Sequence, residues 1–379
     1  MRKSTGSGKG PIRILNLFTI MDRGGAETLV MNYYRKIDRS KVQFDFLVHR
    51  ETPGAYEKEI IELGGRIYRM PALRPGRFLQ YYKQTRRFFR NHPEYRILHA
   101  HMSELACIAF LAAYKEGVPI RICHAHNAPH GWDYKMPVKD CFKVMMRPYI
   151  THRFTCGQEA GDWLYGKGSR DCLIYMRNAV DTELFRFDPV RRDVQRKKLG
   201  LDRNFVLGHV GRFVQQKNHE FLTEILNSLV KKNPSSVLLL IGTGPLENRI
   251  RDMVREKGLE RYIRFMGQRE DVKDLLQAMD AFVLPSLYEG VSVALMEAQA
   301  SGLPCFISAE QPREAVITDQ VSRLSLRRTA DQWAAYILEK CIKFQRKNVE
   351  ASIQAAGYDI DSNVKKLEQF YLQLADYKE

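Results

Sequence analysis

The sequence predicts an α/β protein built from two parallel sheets, each covered by helices, in two domains of similar size. Three observations carry this. Short apolar runs alternate with helical patterns from one end of the chain to the other. That alternation is what βαβ units require, because parallel neighbours must be joined by a crossover. The chain has 379 residues, enough for two domains of ordinary size. The periodicity is interrupted over 178–189, where Asn178-Ala179-Val180-Asp181 and the stretch 185–189 read as a linker. The expected domains are therefore 1–185 and 186–358, with a final helix near 361–374 in the segment 359–379.

The strands of the first half are expected at 12–18, 42–48, 66–70, 97–100, 120–124, 153–156 and 172–176. Most are short stretches rich in apolar residues, as strands of a covered parallel sheet should be. Helical patterns of suitable length separate most of them, for example over 26–36 and 103–115. The second half repeats the theme with strands at 205–210, 237–241, 263–266, 281–284 and 304–307. After Pro285 stops the run Ala281 to Leu284, the spacing Val293, Leu295-Met296, Ala300 reads as a helix that ends at Gly302.

Composition excludes several classes. With 44% apolar and 27% charged residues the chain is globular, not disordered. No apolar stretch reaches the length of a transmembrane helix, and no signal peptide is evident, so a cytoplasmic protein is expected. The seven cysteines form no Cys-x-x-Cys pair and several lie in strand-like runs, as reduced core thiols would. Net charge is +16, with +12 in residues 1–185 and +4 in the remainder. A basic half implies that one domain meets something anionic: a membrane surface, a pyrophosphate-linked acceptor or nucleic acid. The tail Gly6-Ser7-Gly8-Lys9-Gly10 imitates a phosphate loop but lacks its first glycine and final hydroxyl, and it precedes the first strand.

The chemistry-bearing residues lie where strands end. Gly24-Gly25-Ala26-Glu27 follows the first strand and opens a helix, a place suited to phosphate. His99-Ala100-His101 and His124-Ala125-His126 end successive strands and present paired imidazoles on one face. A zinc site there, with His130 nearby, is disfavoured because no carboxylate or thiolate stands beside them at ligand spacing. Gly211-Arg212-Phe213-Val214-Gln215-Gln216-Lys217 follows the first strand of the second half. Its Arg212 and Lys217 can bind the negative charge of a departing diphosphate without a metal. Gly242-Thr243-Gly244-Pro245 reads as a turn serving packing or close backbone approach, and Gly267-Gln268-Arg269 can hold a base through main-chain groups. Glu289 falls on a strand-to-helix turn and Glu297 about two turns into the next helix. A carboxylate on such a turn suits sugar hydroxyls.

In this order, and over nearly the whole chain, these motifs resemble retaining GT-B glycosyltransferases of family 4. The donor signature is Ser286-x-x-Glu289-Gly290 with Glu297 and Gly302-Leu303-Pro304. Arg177-Asn178-Ala179-Val180-Asp181 and Leu287-Tyr288-Glu289-Gly290-Val291-Ser292 are similar to enzymes of bacterial exopolysaccharide and capsule assembly. The resemblance implies two Rossmann-like domains facing a central cleft, with the last helix crossing back to the N-terminal domain. It implies that Arg212 and Lys217 bind the diphosphate and that Glu297 binds the ribose. Glu289 and the amides of Gly290, Val291 and Ser292 would take the sugar hydroxyls. His126 would face the sugar from the other domain, and Gly24 and Gly25 would approach the phosphates. The expected catalytic set is Glu289, His126, Arg212 and Lys217, with no cofactor and no metal. The expected donor is a nucleotide-diphosphate sugar, UDP before GDP. Many members have Gly-Phe-Pro after the first glutamate where this chain has Gly290-Val291-Ser292, so sugar choice does not transfer.

The expected reaction moves a hexose or N-acetylhexosamine to a lipid-linked glycan in surface polysaccharide synthesis. The alternatives are a nucleotide-sugar epimerase of the same fold and a basic nucleic-acid-binding protein. The Glu289–Glu297 segment fits transfer better, and the diffuse charge carries no nucleic-acid-binding motif, so nucleic acid is not expected as a partner. An anionic membrane surface is. Over 76–92 the aromatics Phe78, Tyr81, Tyr82, Phe88 and Phe89 gather on one side of a helix. Lys83, Arg86, Arg87 and Arg90 populate the other. A sheet-covering helix with aromatics in the core and cations in solvent fits this pattern, and so does a helix lying on anionic lipid.

Overall fold

The computed structural model of the protein describes residues 10–126 and 136–376. The stretch 6–9 of the phosphate-loop look-alike and His130 lie outside them. Two compact units result: Met1–Arg177 with Ile360–Glu379, and Asn178–Asp359. Residues 178–185, expected with the first domain, belong to the second unit. Val180 and Phe185 are buried in its core, and the Val180 amide bonds the Tyr358 carbonyl at 2.9 Å.

The first unit holds a seven-stranded parallel sheet. Its strands are β1 (Ile12–Phe18), β2 (Val42–Val48), β3 (Ile67–Arg69), β4 (Ile97–Ala100), β5 (Ile120–Ala125), β6 (His152–Thr155) and β7 (Leu173–Tyr175), in the order β3-β2-β1-β4-β5-β6-β7. The second unit holds six parallel strands: β8 (Phe205–Val210), β9 (Ser236–Ile241), β10 (Ile263–Gly267), β11 (Ala281–Leu284), β12 (Cys305–Ser308) and β13 (Val321–Leu324). Their order is β10-β9-β8-β11-β12-β13. In both sheets the winding reverses beside the first strand, at β1/β4 and at β8/β11, which is where such sheets open a crevice at their carboxyl ends.

Burial explains the strand compositions. Every residue of β2 and β9 is buried, so both faces of each strand are covered. β2 carries two buried polar residues: Gln43, whose side-chain amide donates to the Tyr34 hydroxyl at 3.0 Å, and Asp45, whose carboxylate takes Arg13 at 2.5 Å, the Tyr95 hydroxyl at 2.7 Å and the Arg66 amide at 2.7 Å. A buried carboxylate is tolerable only when paired and hydrogen-bonded in this way.

The helix Ile360–Asp376 packs on the helix Gly25–Lys36 and on β1 and β2, as the resemblance implies. Its buried Tyr371 hydroxyl meets His99 Nδ1 at 2.7 Å, and Glu368 pairs with Lys41 at 3.1 Å. In the helix Phe78–Asn91, Tyr81 and Phe89 are core residues against the helix Cys107–Lys115. Arg86 and Arg90 both pair with Glu116, Arg90 at 2.9 Å, while Lys83 and Arg87 remain exposed. Among the described residues no helix is long and apolar enough to cross a membrane, and no disulfide forms.

Candidate active site

In the second unit the site is built where β8 and β11 lie side by side. β8 runs into Gly211–Val214, a single turn Gln215–Lys217, and then the helix His219–Lys232. Asn218 joins turn to helix in the left-handed region, at φ 55°, and its side-chain amide donates to the Pro285 carbonyl at 3.2 Å. β11 runs through Pro285–Ser292 into the helix Val293–Ala300. The Leu287 amide donates to the Gln216 carbonyl at 2.8 Å, so the two loops are stitched backbone to backbone.

This stitching brings Lys217 to Glu289. The Lys217 ammonium and Glu289 Oε1 form an ion pair, with only 15% and 7% of the two side chains exposed. Glu289 also accepts from the Ser286 hydroxyl at 2.9 Å and the Gln216 amide at 3.3 Å. Three donors therefore fix one carboxylate, whose charge is matched by Lys217. Gln216 donates in addition to the Tyr288 carbonyl at 3.1 Å. Asn178 donates to the Val291 carbonyl, tying the start of the unit to the same loop. Arg212 stands exposed at the head of the loop. Glu297 is half-buried on the helix two turns on.

The glycine turns support that loop. A side-chain carbon at Gly244 would stand 2.6 Å from the Phe213 amide nitrogen, and one at Gly242 would collide with the Gly211 carbonyl. Packing, as expected, is what those glycines serve. Gly267, at φ 64°, gives its carbonyl to the Gly242 amide at 2.8 Å, and Gln268 is exposed. The Arg269 guanidinium pairs with Asp271 at 2.6 and 2.7 Å. Beneath the loop, His219 stacks on Phe213 at 4.2 Å and His209 Nδ1 meets the Val283 carbonyl at 2.9 Å. Burial pushes the His219 imidazole down to about 4 and holds His209 well below its ordinary value.

The first unit carries the remaining expected residues. Gly25 opens its helix at a point where a side chain would meet no atom within 4 Å. His126 follows β5, half-buried, and burial lowers its imidazole to about 3. Its Nε2 lies 3.0 Å from His101 Nδ1, and its Nδ1 lies 3.2 Å from Cys156 Sγ. The structure thus joins Lys217 to Glu289 and His126 to His101 and Cys156. Gln216 and Cys156 were missed from sequence: glutamine in a turn is unremarked, and Cys156 comes from a neighbouring strand.

The geometry defines a doubly wound protein with a cation–carboxylate pair at the switch point of its second sheet. The chain belongs to the GT-B glycosyltransferases of family 4. Residues 23–184 match the profile of Glycosyltransferase Family 4 and residues 191–356 that of Glycosyl transferases group 1. EpsF of Bacillus subtilis, described as a glycosyltransferase, is 36% identical over 95% of this chain and 96% of its own. An Escherichia coli UDP-Gal:α-D-GlcNAc-diphosphoundecaprenol α-1,3-galactosyltransferase is 28% identical over 74% and 76% of the two chains. The crystal structure of Anabaena HepE with UDP and glucose superposes with a TM-score of 0.77, at 16% identity, covering 97% of this chain and all of that one.

Proposed function

We propose that the enzyme is a retaining, metal-independent transferase that moves a hexose or N-acetylhexosamine from a UDP-sugar to a lipid-linked glycan of a surface polysaccharide. The observation that carries this reading is the buried Lys217–Glu289 pair beside exposed Arg212, on the two loops that leave β8 and β11. Two cations there serve a leaving diphosphate, and a fixed carboxylate serves sugar hydroxyls. The E. coli relative, which acts with UDP-Gal on a diphosphoundecaprenol-linked sugar, supports the donor and acceptor classes. HepE, which binds UDP and glucose, supports the donor class.

In this mechanism the acceptor oxygen attacks the anomeric carbon on the face the diphosphate leaves. The bond from that carbon to the β-phosphate oxygen breaks, and the departing phosphate takes the acceptor proton. Arg212 and Lys217 bind the charge that grows on the leaving group, so they act most strongly in the transition state. Glu289 and the amides of Gly290, Val291 and Ser292 hold the sugar, and Glu297 holds the ribose. Gly267, Gln268 and Arg269 hold the base through main-chain groups. Gly24 and Gly25 admit the phosphates and His126 faces the sugar. Transfer from UDP-sugars to a diphospholipid-linked acceptor in excess EDTA should proceed at the metal-supplemented rate, with an α-linked product from an α-donor by NMR. A strict need for magnesium or manganese, or an inverted product, overturns the mechanism.

A lipid-linked acceptor fits a cytoplasmic enzyme held peripherally at the inner face of a membrane through anionic lipid. Because Arg86 and Arg90 share the single carboxylate of Glu116, Lys83 and Arg87 are the exposed cations of that helix best placed to meet lipid. Each contributes about 1 kcal/mol near an anionic surface. Lys83→Glu with Arg87→Glu should weaken sedimentation with anionic vesicles by about 10-fold or more while sparing transfer to a short soluble acceptor. Unchanged vesicle binding would leave the helix as domain packing alone.

A further inference from the structure

We propose, on the reading that sets His126 against the sugar, that Asn16 and His101 are positioning residues which hold its imidazole in one plane and one neutral tautomer for the transfer. Asn16 is a buried polar residue among the apolar side chains of β1. Its side-chain amide donates to the Ile14 and Asp45 carbonyls, each at 3.4 Å, so Oδ1 is the atom left to face His101 Nε2, at 3.2 Å. An amide oxygen only accepts, so His101 Nε2 carries the proton and His101 Nδ1 the lone pair. His126 Nε2 lies 3.0 Å from that lone pair and donates to it. His126 Nδ1 is then an acceptor, and the Cys156 thiol meets it at 3.2 Å. The donors therefore all point one way, from Cys156 through His126 and His101 to Asn16, a chain in which each bond polarises the next.

Ring contacts fix the planes. His101 stacks on Phe18 at 4.4 Å and on His99 at 4.2 Å, and His126 stacks on His124 at 4.1 Å. The His101 and His126 centroids stand 5.2 Å apart, as rings that meet nitrogen to nitrogen do. Among the described residues, the titratable groups against these two rings are His99 on β4, His124 on β5 and Cys156 after β6, with the Tyr371 hydroxyl behind His99. None of these is a carboxylate that would favour imidazolium. Burial accordingly holds His99, His101 and His124 well below the ordinary value and His126 at about 3. Transfer calls for such a ring. As the diphosphate departs with its electron pair, the anomeric carbon gains positive charge. An imidazolium facing that carbon would oppose the charge, and a ring free to turn would lose its alignment. A neutral, pinned imidazole does neither.

Long-range proton–nitrogen NMR on protein labelled at histidine reads the tautomer with no donor or acceptor present. The His126 signals, assigned by their loss in His126→Gln, should show a protonated Nε2 and a bare Nδ1 throughout the range from about pH 6 to pH 8. Asn16→Asp keeps the shape and supplies a carboxylate that lets the pair with His101 take up a proton as pH falls. His101 Nδ1 then donates, the chain reverses, and the His126 proton moves to Nδ1. Relative to wild type, kcat of this variant should fall by about 10-fold between pH 8 and pH 6 and recover on return to pH 8. KM for the UDP-sugar and Kd for UDP should stay within a few-fold, which a general loss of structure would not allow. If Asn16→Asp does not fold, His101→Phe keeps a ring in the stack and removes the acceptor. It should give His126 a mixed tautomer and lower kcat by about 10-fold at every pH. A wild-type His126 protonated at Nδ1, or a folded variant whose kcat follows wild type at every pH, overturns the proposal. A wild-type protein that transfers no sugar fails the earlier reading instead, and the NMR signals tell the two failures apart.

Discussion

Glu289→Gln should lower kcat/KM by about 100-fold or more while leaving affinity for free UDP within a few-fold of wild type. The substitution keeps the shape and removes the charge that Lys217 neutralises. Glu289 is 8% exposed, so the change also leaves a cation poorly paired in a shielded place. Breaking a buried pair from one side costs about 3–5 kcal/mol, and a lower Tm is expected alongside the lost turnover. Kinetics should therefore be taken at a temperature where circular dichroism shows the variant folded. Lys217→Met should lose turnover by a similar factor. The double variant should lose less than the product of the two, because the residues act through one contact. Glu297→Ala should raise the Kd for UDP and spare kcat, since its proposed partner is the ribose. Wild-type turnover by Glu289→Gln, or fully multiplicative losses in the double variant, would remove the pair from the reaction.

The second large effect concerns acid. His49 and His219 are pushed down to about 4 and His209 well below its ordinary value, chiefly because burial penalises imidazolium. In the unfolded chain all three titrate at the ordinary 6.5. Below that pH the unfolded state binds protons that the native state refuses, so stability is full above 6.5 and falls as pH drops towards the folded values. Each group contributes about 1.4 kcal/mol of loss per pH unit. The second unit, with His209 and His219, should thus lose nearly 3 kcal/mol per unit in that window (an order-of-magnitude figure). His219 lies on Phe213 with neither ring nitrogen bonded. His219→Phe removes one titrating group and sacrifices no hydrogen bond, so the fall in Tm between pH 7 and pH 5 should become clearly shallower. An unchanged slope would mean that the site beneath the loop admits the proton.

How much of this was legible depended on distance along the chain. Runs such as Val237-Leu238-Leu239-Leu240-Ile241 declare a doubly buried strand by composition alone. β13 escaped because Val321-Ser322-Arg323-Leu324 is short and mixed, and half-buried at the sheet edge. Arg323 sits in this strand only because the Ala309 and Gln311 carbonyls take its guanidinium at 2.5 and 2.7 Å. The loops carrying Lys217 and Glu289 could each be found from strand-to-helix signals. Their pairing could not, because it follows from β8 lying beside β11. Cys156 was invisible for the same reason, one strand over from its histidines. The aromatic helix Phe78–Asn91 shows the opposite limit. Its periodicity was plain, but Glu116, which takes two of its arginines, lies beyond the helix itself.

The helix Ile360–Asp376 has a consequence for biosynthesis. It closes over the first unit's sheet through Tyr371 on His99, yet it is translated after the whole of the second unit. The second unit, continuous from Asn178 to Asp359, has all its strands before that helix exists. On the ribosome the earlier-made unit is therefore the later one to be completed, reversing the usual N-terminal-first order of domain folding. Until that helix is made, Tyr33, His99 and Phe154 lie under a missing cover. A nascent chain stalled before residue 360 would present that apolar face to chaperones and to other chains.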